Sequence, residues 1–215
     1  MIYDKDSAMR IAAELLKIKA VKLQPENPFT WASGWKSPIY CDNRKSLSYP
    51  MIRTFIRQKF SEIIDKKYGK PDVIAGIATG GIPQGVLVAQ DLGLPFIYVR
   101  SNVKDHGLGN LIEGHFESGQ KVLVIEDLIS KGGSSLLGVN ALRDVGLKVK
   151  GLLAIFSYGF DLARQSFSEA DCPYTTISDY DHLIEQALLL EYIKEEDLPT
   201  LKKWRELPSA WKPQA

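Results

Sequence analysis

Residues 122–136, VLVIEDLISKGGSSL, constrain the fold of this 215-residue chain more than any other stretch. The opening aliphatic run, rich in β-branched residues and without a polar break, fits a strand buried on both faces of a parallel sheet. Glu126 and Asp127 follow, then Leu128 and Ile129, then the small polar run Ser130, Lys131, Gly132, Gly133, Ser134 and Ser135. Leu136, Leu137, Val139, Ala141 and Leu142 next recur at helical spacing. The order is strand, loop, helix. A loop of this kind points its amides at an anion, with the helix dipole adding to the attraction. Gly132 and Gly133 let the backbone approach a phosphate closely. Glu126 and Asp127 only accept hydrogen bonds when ionised, so they suit hydroxyls or a hydrated Mg²⁺ rather than the phosphate.

Bulk properties narrow the classes. With 45% hydrophobic and 25% charged residues, the chain is an ordinary globular one, sized for a single α/β domain over residues 1–215. A net charge of +1 gives no case for nucleic acid or membrane surfaces as partners. Cys41 and Cys172 form no close pair, and no CxxC or HExxH appears, so no direct metal site is expected. The N-terminal MIYDKDSAMR is too charged for a signal segment, and no apolar run reaches the ~20 residues of a membrane span. The expected location is cytoplasmic.

Along the chain, helices are expected over residues 7–21, capped by Asp6 or Ser7, and over 48–67, with Pro50 near the first turn. Between them, residues 24–43 hold three prolines and several aromatics, which indicates short strands and turns. A strand at 72–78 runs into Thr79, Gly80 and Gly81, then a helix over 84–91; this glycine-rich junction is a second anion cradle. A strand at 95–100 leads into the polar segment 100–115, which shows no sustained period and reads as a mobile lid. Strands at 148–156 and 174–178 flank a helix at 159–167, and amphipathic helices follow at 181–193 and 196–204. Residues 207–215 are expected to fray. His115 and His182 have no evident catalytic partner in sequence. Strands alternating with helices give a mostly parallel sheet flanked by helices, with ligands at the strands' carboxyl ends.

Residues 122–136 resemble the ribose-5-phosphate signature of the type I phosphoribosyltransferases: an aliphatic strand, two acids, two more residues and a Ser/Gly-rich loop. Two further stretches narrow the resemblance to the orotate phosphoribosyltransferase family. FTWASGWKSPIYCDNR matches that family's N-terminal hood, FxLxSGxxSPxY, at Phe29, Ser33, Gly34, Ser37, Pro38 and Tyr40. RSNVKDHG matches its catalytic loop, RKxxKxHG, at Arg100, Lys104, His106 and Gly107. The resemblance implies a type I phosphoribosyltransferase fold with a hood at about 22–46 and a lid at about 100–115. It implies transfer of the phosphoribosyl group of 5-phosphoribosyl 1-diphosphate (PRPP) to N1 of orotate, with Mg²⁺ as cofactor. It also implies a homodimer whose lid reaches the neighbouring subunit's site.

By that resemblance, PRPP is bound by Arg100, Lys104, His106, Glu126, Asp127, Leu128, Ile129, Ser130, Lys131, Gly132, Gly133 and Ser134. Thr79, Gly80 and Gly81 form the pyrophosphate loop. Lys104, His106 and Asp127 are the catalytic candidates, and Ser130, Tyr40 and Cys41 face orotate. The chain departs from the family pattern at Ala32, Gly80 and Ser101, where relatives carry lysine or another cation, and at Leu108, where some carry an acid. No arginine follows the strand at 148–156, where some members place one against orotate. Lys131 stands where many relatives have Thr; its expected contact is the 5-phosphate. Two other readings stay open: an enzyme of this fold using another base, and a PRPP-sensing, nucleic-acid-binding regulator.

Overall fold

The computed structural model describes residues 1–31, 33–101 and 111–213. The chain opens with helix α1 (Lys5–Lys17) and the four short strands β1 (Val21–Leu23), β2 (Phe29–Thr30), β3 (Lys36–Ser37) and β4 (Ile39–Cys41). A 3₁₀ turn, Asn43–Ser48, leads to α2 (Pro50–Ile63). The central layer then alternates β5 (Val73–Ile77), α3 (Gly81–Leu92), β6 (Phe96–Val99), β7 (Ile112–Glu113), β8 (Lys121–Ile129), α4 (Gly133–Asp144), β9 (Lys148–Ser157), α5 (Asp161–Glu169) and β10 (Tyr174–Asp179). Helices α6 (Tyr180–Leu189) and α7 (Leu198–Glu206) close the chain.

The six-stranded sheet has the order β10-β9-β8-β5-β6-β7, parallel throughout except for β7, which runs antiparallel to β6 at the edge. Strand β8 is the spine because it is buried from Val122 to Glu126 and pairs on both sides. Its side chains alternate between faces, as the strand repeat requires. Val122 and Val124 join the core beneath α4 and α5, while Leu123 and Ile125 join the larger core shared with α1, α2, α3, α6 and α7. The connection leaving β5 leads to β6 on one side, and the one leaving β8 leads to β9 on the other. The β5–β8 boundary is therefore the topological switch point, where ligands bind outside the strand ends.

Several expectations shift. The α1 cap is Asp4, whose Oδ1 accepts from Ser7 N at 2.7 Å; Asp4, Asp6 and Ser7 all suit a cap by type, and local geometry selects Asp4. Strand β8 continues through both acids to Ile129, four residues beyond the aliphatic run, because β9 supplies partners as far as Ser157. The tail does not simply fray: Trp211 is 7% exposed and packs into the larger core. Within the expected lid, Ile112 and Glu113 form β7, and Arg100 N donates to Leu111 O at 2.8 Å, so the two ends of the segment are pinned together.

Candidate active site

Two loops meet at the switch point. The first leaves β5 through Ala78 and Thr79, whose connecting peptide is cis, and enters α3 at Gly80 and Gly81. The second leaves β8 through Ser130 and Lys131 and enters α4 at Gly132. Gly132 has a φ of 84°, and a Cβ there would meet the Phe167 ring at 2.9 Å, so only glycine fits this helix entry. Gly133 differs: a Cβ would meet nothing within 4 Å. That open space lies at the first residue of α4, and a helix N-terminus favours an anion.

The two acids lie on opposite faces of β8. Asp127 points toward α3, where its carboxylate abuts the Cα of Gly80 closely enough that any Cβ there would overlap it. Glu126 points beneath α4, is 7% exposed, and accepts from Ser135 Oγ at 3.4 Å. Burial pushes the Glu126 carboxyl well above the usual range, and the adjacent Asp127 charge pushes the same way. Asp127 is also raised by burial, with Arg44 opposing the shift. Such a carboxylate pair favours proton retention until a cation arrives. Among the described residues no group of three or more His, Cys, Asp or Glu could hold a metal directly. Two oxygen-donor carboxylates suit a hard cation such as Mg²⁺ that keeps most of its waters.

The hood motif residues build the flap itself. Trp31 N donates to Trp35 O at 2.9 Å, Gly34 N to Trp31 O at 2.8 Å, and Gly34 takes a φ of 82° at the hairpin tip. Buried Ser37 donates through Oγ to Ile39 O at 2.8 Å and accepts from Ile39 N at 3.2 Å, which fixes the turn at Pro38. Phe29 packs on Tyr40 with ring centroids 5.7 Å apart. The flap is fastened to the domain at its base. Buried Asn43 donates through Nδ2 to Asp127 O at 2.7 Å. Trp31 packs against Tyr158 and Trp204 at centroid distances of 5.2 and 5.7 Å.

Tyr40 and Cys41 thus lie on the strand that leads into the Asn43–Asp127 contact. Cys41 Sγ donates to Asn43 Oδ1 at 3.2 Å. Burial and the Asp127 and Asp42 carboxylates push its thiol well up, which keeps the sulfur protonated and a poor nucleophile. Lys36 donates to Thr30 Oγ1 at 2.8 Å within the flap. Lys131 Nζ sits 4.6 Å from the centroid of Trp35. Arg100 Nη1 lies 3.9 Å from Glu113 Oε1 at the lid's hinge. Lys104, His106, Gly107 and Leu108 lie outside the described residues, as does Ala32. Asp179 caps α6, accepting from His182 N at 3.1 Å and lying 2.7 Å from its Nδ1, and His115 is exposed.

Three residues escape the sequence reading. Asn43 and Ser135 bind the two acids or their backbone, and Tyr158 stands where an arginine was sought. Tyr158 N donates to Ile129 O at 3.1 Å, and its ring stacks on Phe160 at 15° while touching Trp31 and Trp204. Tyr158 is a buried member of this aromatic cluster, and Arg205 from α7 donates to Tyr158 O and Gly159 O at 3.4 Å. The only signal in sequence for Tyr158 was its position after β9.

Fold and loops define the class: a type I phosphoribosyltransferase domain, with a phosphate cradle and a second glycine loop meeting at the switch point. Residues 48–177 match the family model described as a phosphoribosyl transferase domain. Over 200 residues the chain is 58% identical to an orotate phosphoribosyltransferase of Phocaeicola vulgatus, covering 93% of this chain and 94% of that one. Among solved structures, an orotate phosphoribosyltransferase from Aeropyrum pernix matches with a TM-score of 0.75 at 25% identity, over 86% of this chain and 99% of that one. A UMP synthase from Leishmania donovani shares the fold with a TM-score of 0.78 at 22% identity; 94% of this chain spans 42% of that protein. The chain belongs to the orotate phosphoribosyltransferase family.

Proposed function

We propose that the protein joins orotate N1 to C1 of PRPP, forming orotidine 5′-monophosphate and pyrophosphate, a step of pyrimidine biosynthesis. The observation that carries this reading is the seating of Asp127 against the Gly80–Gly81 loop, with the phosphate cradle leaving the same strand and the hood tied to Asp127 through Asn43. One site thereby offers anion cradles on either side of a carboxylate, under an aromatic cover.

In the reaction the C1–O bond breaks with its electron pair going to pyrophosphate, the N1–C1 bond forms, and the N1 proton is released. The ribose ring gains positive charge on the way. No protein nucleophile is required, and Cys41, held as a thiol, is not one. Catalysis is positioning and electrostatic stabilisation. Amides of Ser130, Gly132, Gly133 and Ser134 hold the 5-phosphate. Asp127 faces the ribose hydroxyls and the developing cation, and Glu126, buried on the other face of β8, adds its charge from beneath α4. Thr79, Gly80 and Gly81 receive the pyrophosphate through backbone amides. Arg100, with Lys104 and His106 by family resemblance, neutralises the leaving group. Mg²⁺ bound with PRPP would neutralise charge on the diphosphate, and Asp127 and Glu126 are the residues that would hold it. Tyr40, Cys41 and Ser130 receive orotate.

A homodimer with the lid shared between subunits belongs to the same reading. So does a cytosolic location, which the two free thiols support; among the described residues no helix is long and apolar enough to cross a membrane. The test is loss of orotate absorbance with PRPP and Mg²⁺, with uracil and hypoxanthine as competing acceptors. Turnover confined to orotate is expected. Preference for either competitor would replace the reading with another base.

A further inference from the structure

From the contact between Lys131 and Trp35 we infer that Lys131 is a latch coupling the phosphate loop to the hood: a positioning residue for orotate, not solely a phosphate ligand. This rests on the phosphoribosyl-transfer reading of the site and deepens it.

The two partners belong to different halves of the site. Trp35 lies at the tip of the hood hairpin, next to the Thr30–Lys36 pairing of β2 with β3. Lys131 lies in the turn between β8 and α4, next to the open space at Gly133. Its Nζ stands 4.6 Å from the Trp35 ring centroid, within the range where a cation is attracted to an indole face. The direction in which Lys131 leaves the loop is constrained, because the neighbouring Gly132 is locked in a left-handed conformation against Phe167. Trp35 is half-buried, while Lys131 is exposed.

Of the hood's other attachments, Asn43 on Asp127 O lies at its base, and Trp31 on Tyr158 and Trp204 holds the β2 side of the hairpin loop. Lys131 fastens the β3 side of that loop, at Trp35. An anion that orders the loop amides also orders Lys131, and the ordered ammonium holds Trp35 down over the base site. Filling of the phosphate cradle and closure over orotate become coupled. A threonine at this position has no charge to place over the ring. The coupling is a property of this chain's lysine.

A cation–π contact at an exposed site corresponds to roughly two- to fivefold in an equilibrium. Lys131→Met keeps the stem and removes the charge. It is expected to raise the KM for orotate by that factor, more than it changes the KM for PRPP. Trp35→Leu is expected to raise the same KM, and the double variant to be no worse than the worse single one. Lys131→Arg is expected to restore the wild-type value, since guanidinium also stacks on indole. Wild-type turnover of orotate tests the underlying reading separately, because the latch is read only from differences among variants. A second measurement needs no turnover. In protein labelled with 5-fluorotryptophan, the Trp35 resonance, assigned by Trp35→Phe, is expected to move in Lys131→Met and to stay near its wild-type position in Lys131→Arg. An unmoved Trp35 resonance would overturn the latch. A rise in PRPP KM with orotate KM unchanged, or additive effects of the two substitutions, would make Lys131 a phosphate ligand instead.

Discussion

Replacing Gly80 with alanine should separate catalysis from folding. Gly80 has φ −69° and ψ −30°, a conformation alanine adopts freely, so the backbone does not resist the change. The new Cβ would lie within 2.5 Å of Asp127 Cγ and both its carboxylate oxygens, whereas ordinary contact begins at 3.4 Å. The carboxylate must therefore retreat by about 1 Å. It is the end of a side chain and can do so without moving the sheet, so the melting temperature should stay nearly unchanged. A displacement of about 1 Å in a positioned group costs on the order of 10²-fold in rate. The expected result is a fall of that order in kcat/KM for PRPP, measured by orotate absorbance at saturating Mg²⁺. Gly81→Ala is the contrast. Its Cβ would overlap Ile125 O, a backbone carbonyl in the middle of β8 that cannot swing away. Overpacking of about 1–3 kcal/mol there should lower Tm by roughly 5 °C. Gly80→Ala turning over within threefold of the wild type would refute the placement of Asp127 at the reacting ribose.

Other outcomes follow from the same geometry. Lys104→Ala, if the lid neutralises pyrophosphate in the transition state, should lower kcat by about 10²–10³ with the fold intact by circular dichroism. Because the folded Glu126 carboxyl is raised above its unfolded value, its contribution to stability is present below pH 4.5 and lost as pH rises through the folded value. Glu126→Gln should therefore melt higher than the wild type at neutral pH, with the gain shrinking toward pH 4; equal melting curves across that range would contradict the burial argument. The acid limb of kcat/KM should have its midpoint above the ordinary carboxylate range, since Asp127 and Glu126 are both raised. Tyr158→Leu removes a ring buried among Trp31, Phe160 and Trp204 and should lower the melting temperature, by roughly 2–4 °C for each kcal/mol of packing lost; a melt unchanged from the wild type would contradict its place in the core.

Much of the site was legible because its physics is local. An uninterrupted aliphatic run followed by Gly132 and Gly133 can hardly be other than a buried strand entering a helix, and β5 with Gly80 and Gly81 repeats the pattern. The hood motif was readable because Gly34, Ser37 and Pro38 each meet a turn requirement within a few residues. What failed was whatever depends on distant partners. The acids were read as the start of a loop, yet β9 pairs with that segment and keeps it a strand, which sends Glu126 and Asp127 to opposite faces. Asn43 looked like one more polar hood residue until its amide met Asp127 O. Trp211 looked like part of a polar tail until the core closed around it. Lys131 and Trp35 meet only because the hood folds back to the turn between β8 and α4.

Calorimetric titration of the protein with PRPP, with and without Mg²⁺, tests the central claim most directly. The account predicts saturable one-to-one binding that strengthens with Mg²⁺ and weakens in Gly132→Ala, whose Cβ would push against Phe167 and shift the phosphate amides. Binding indifferent to both the metal and that substitution would contradict a site built from amide cradles around an acidic strand end.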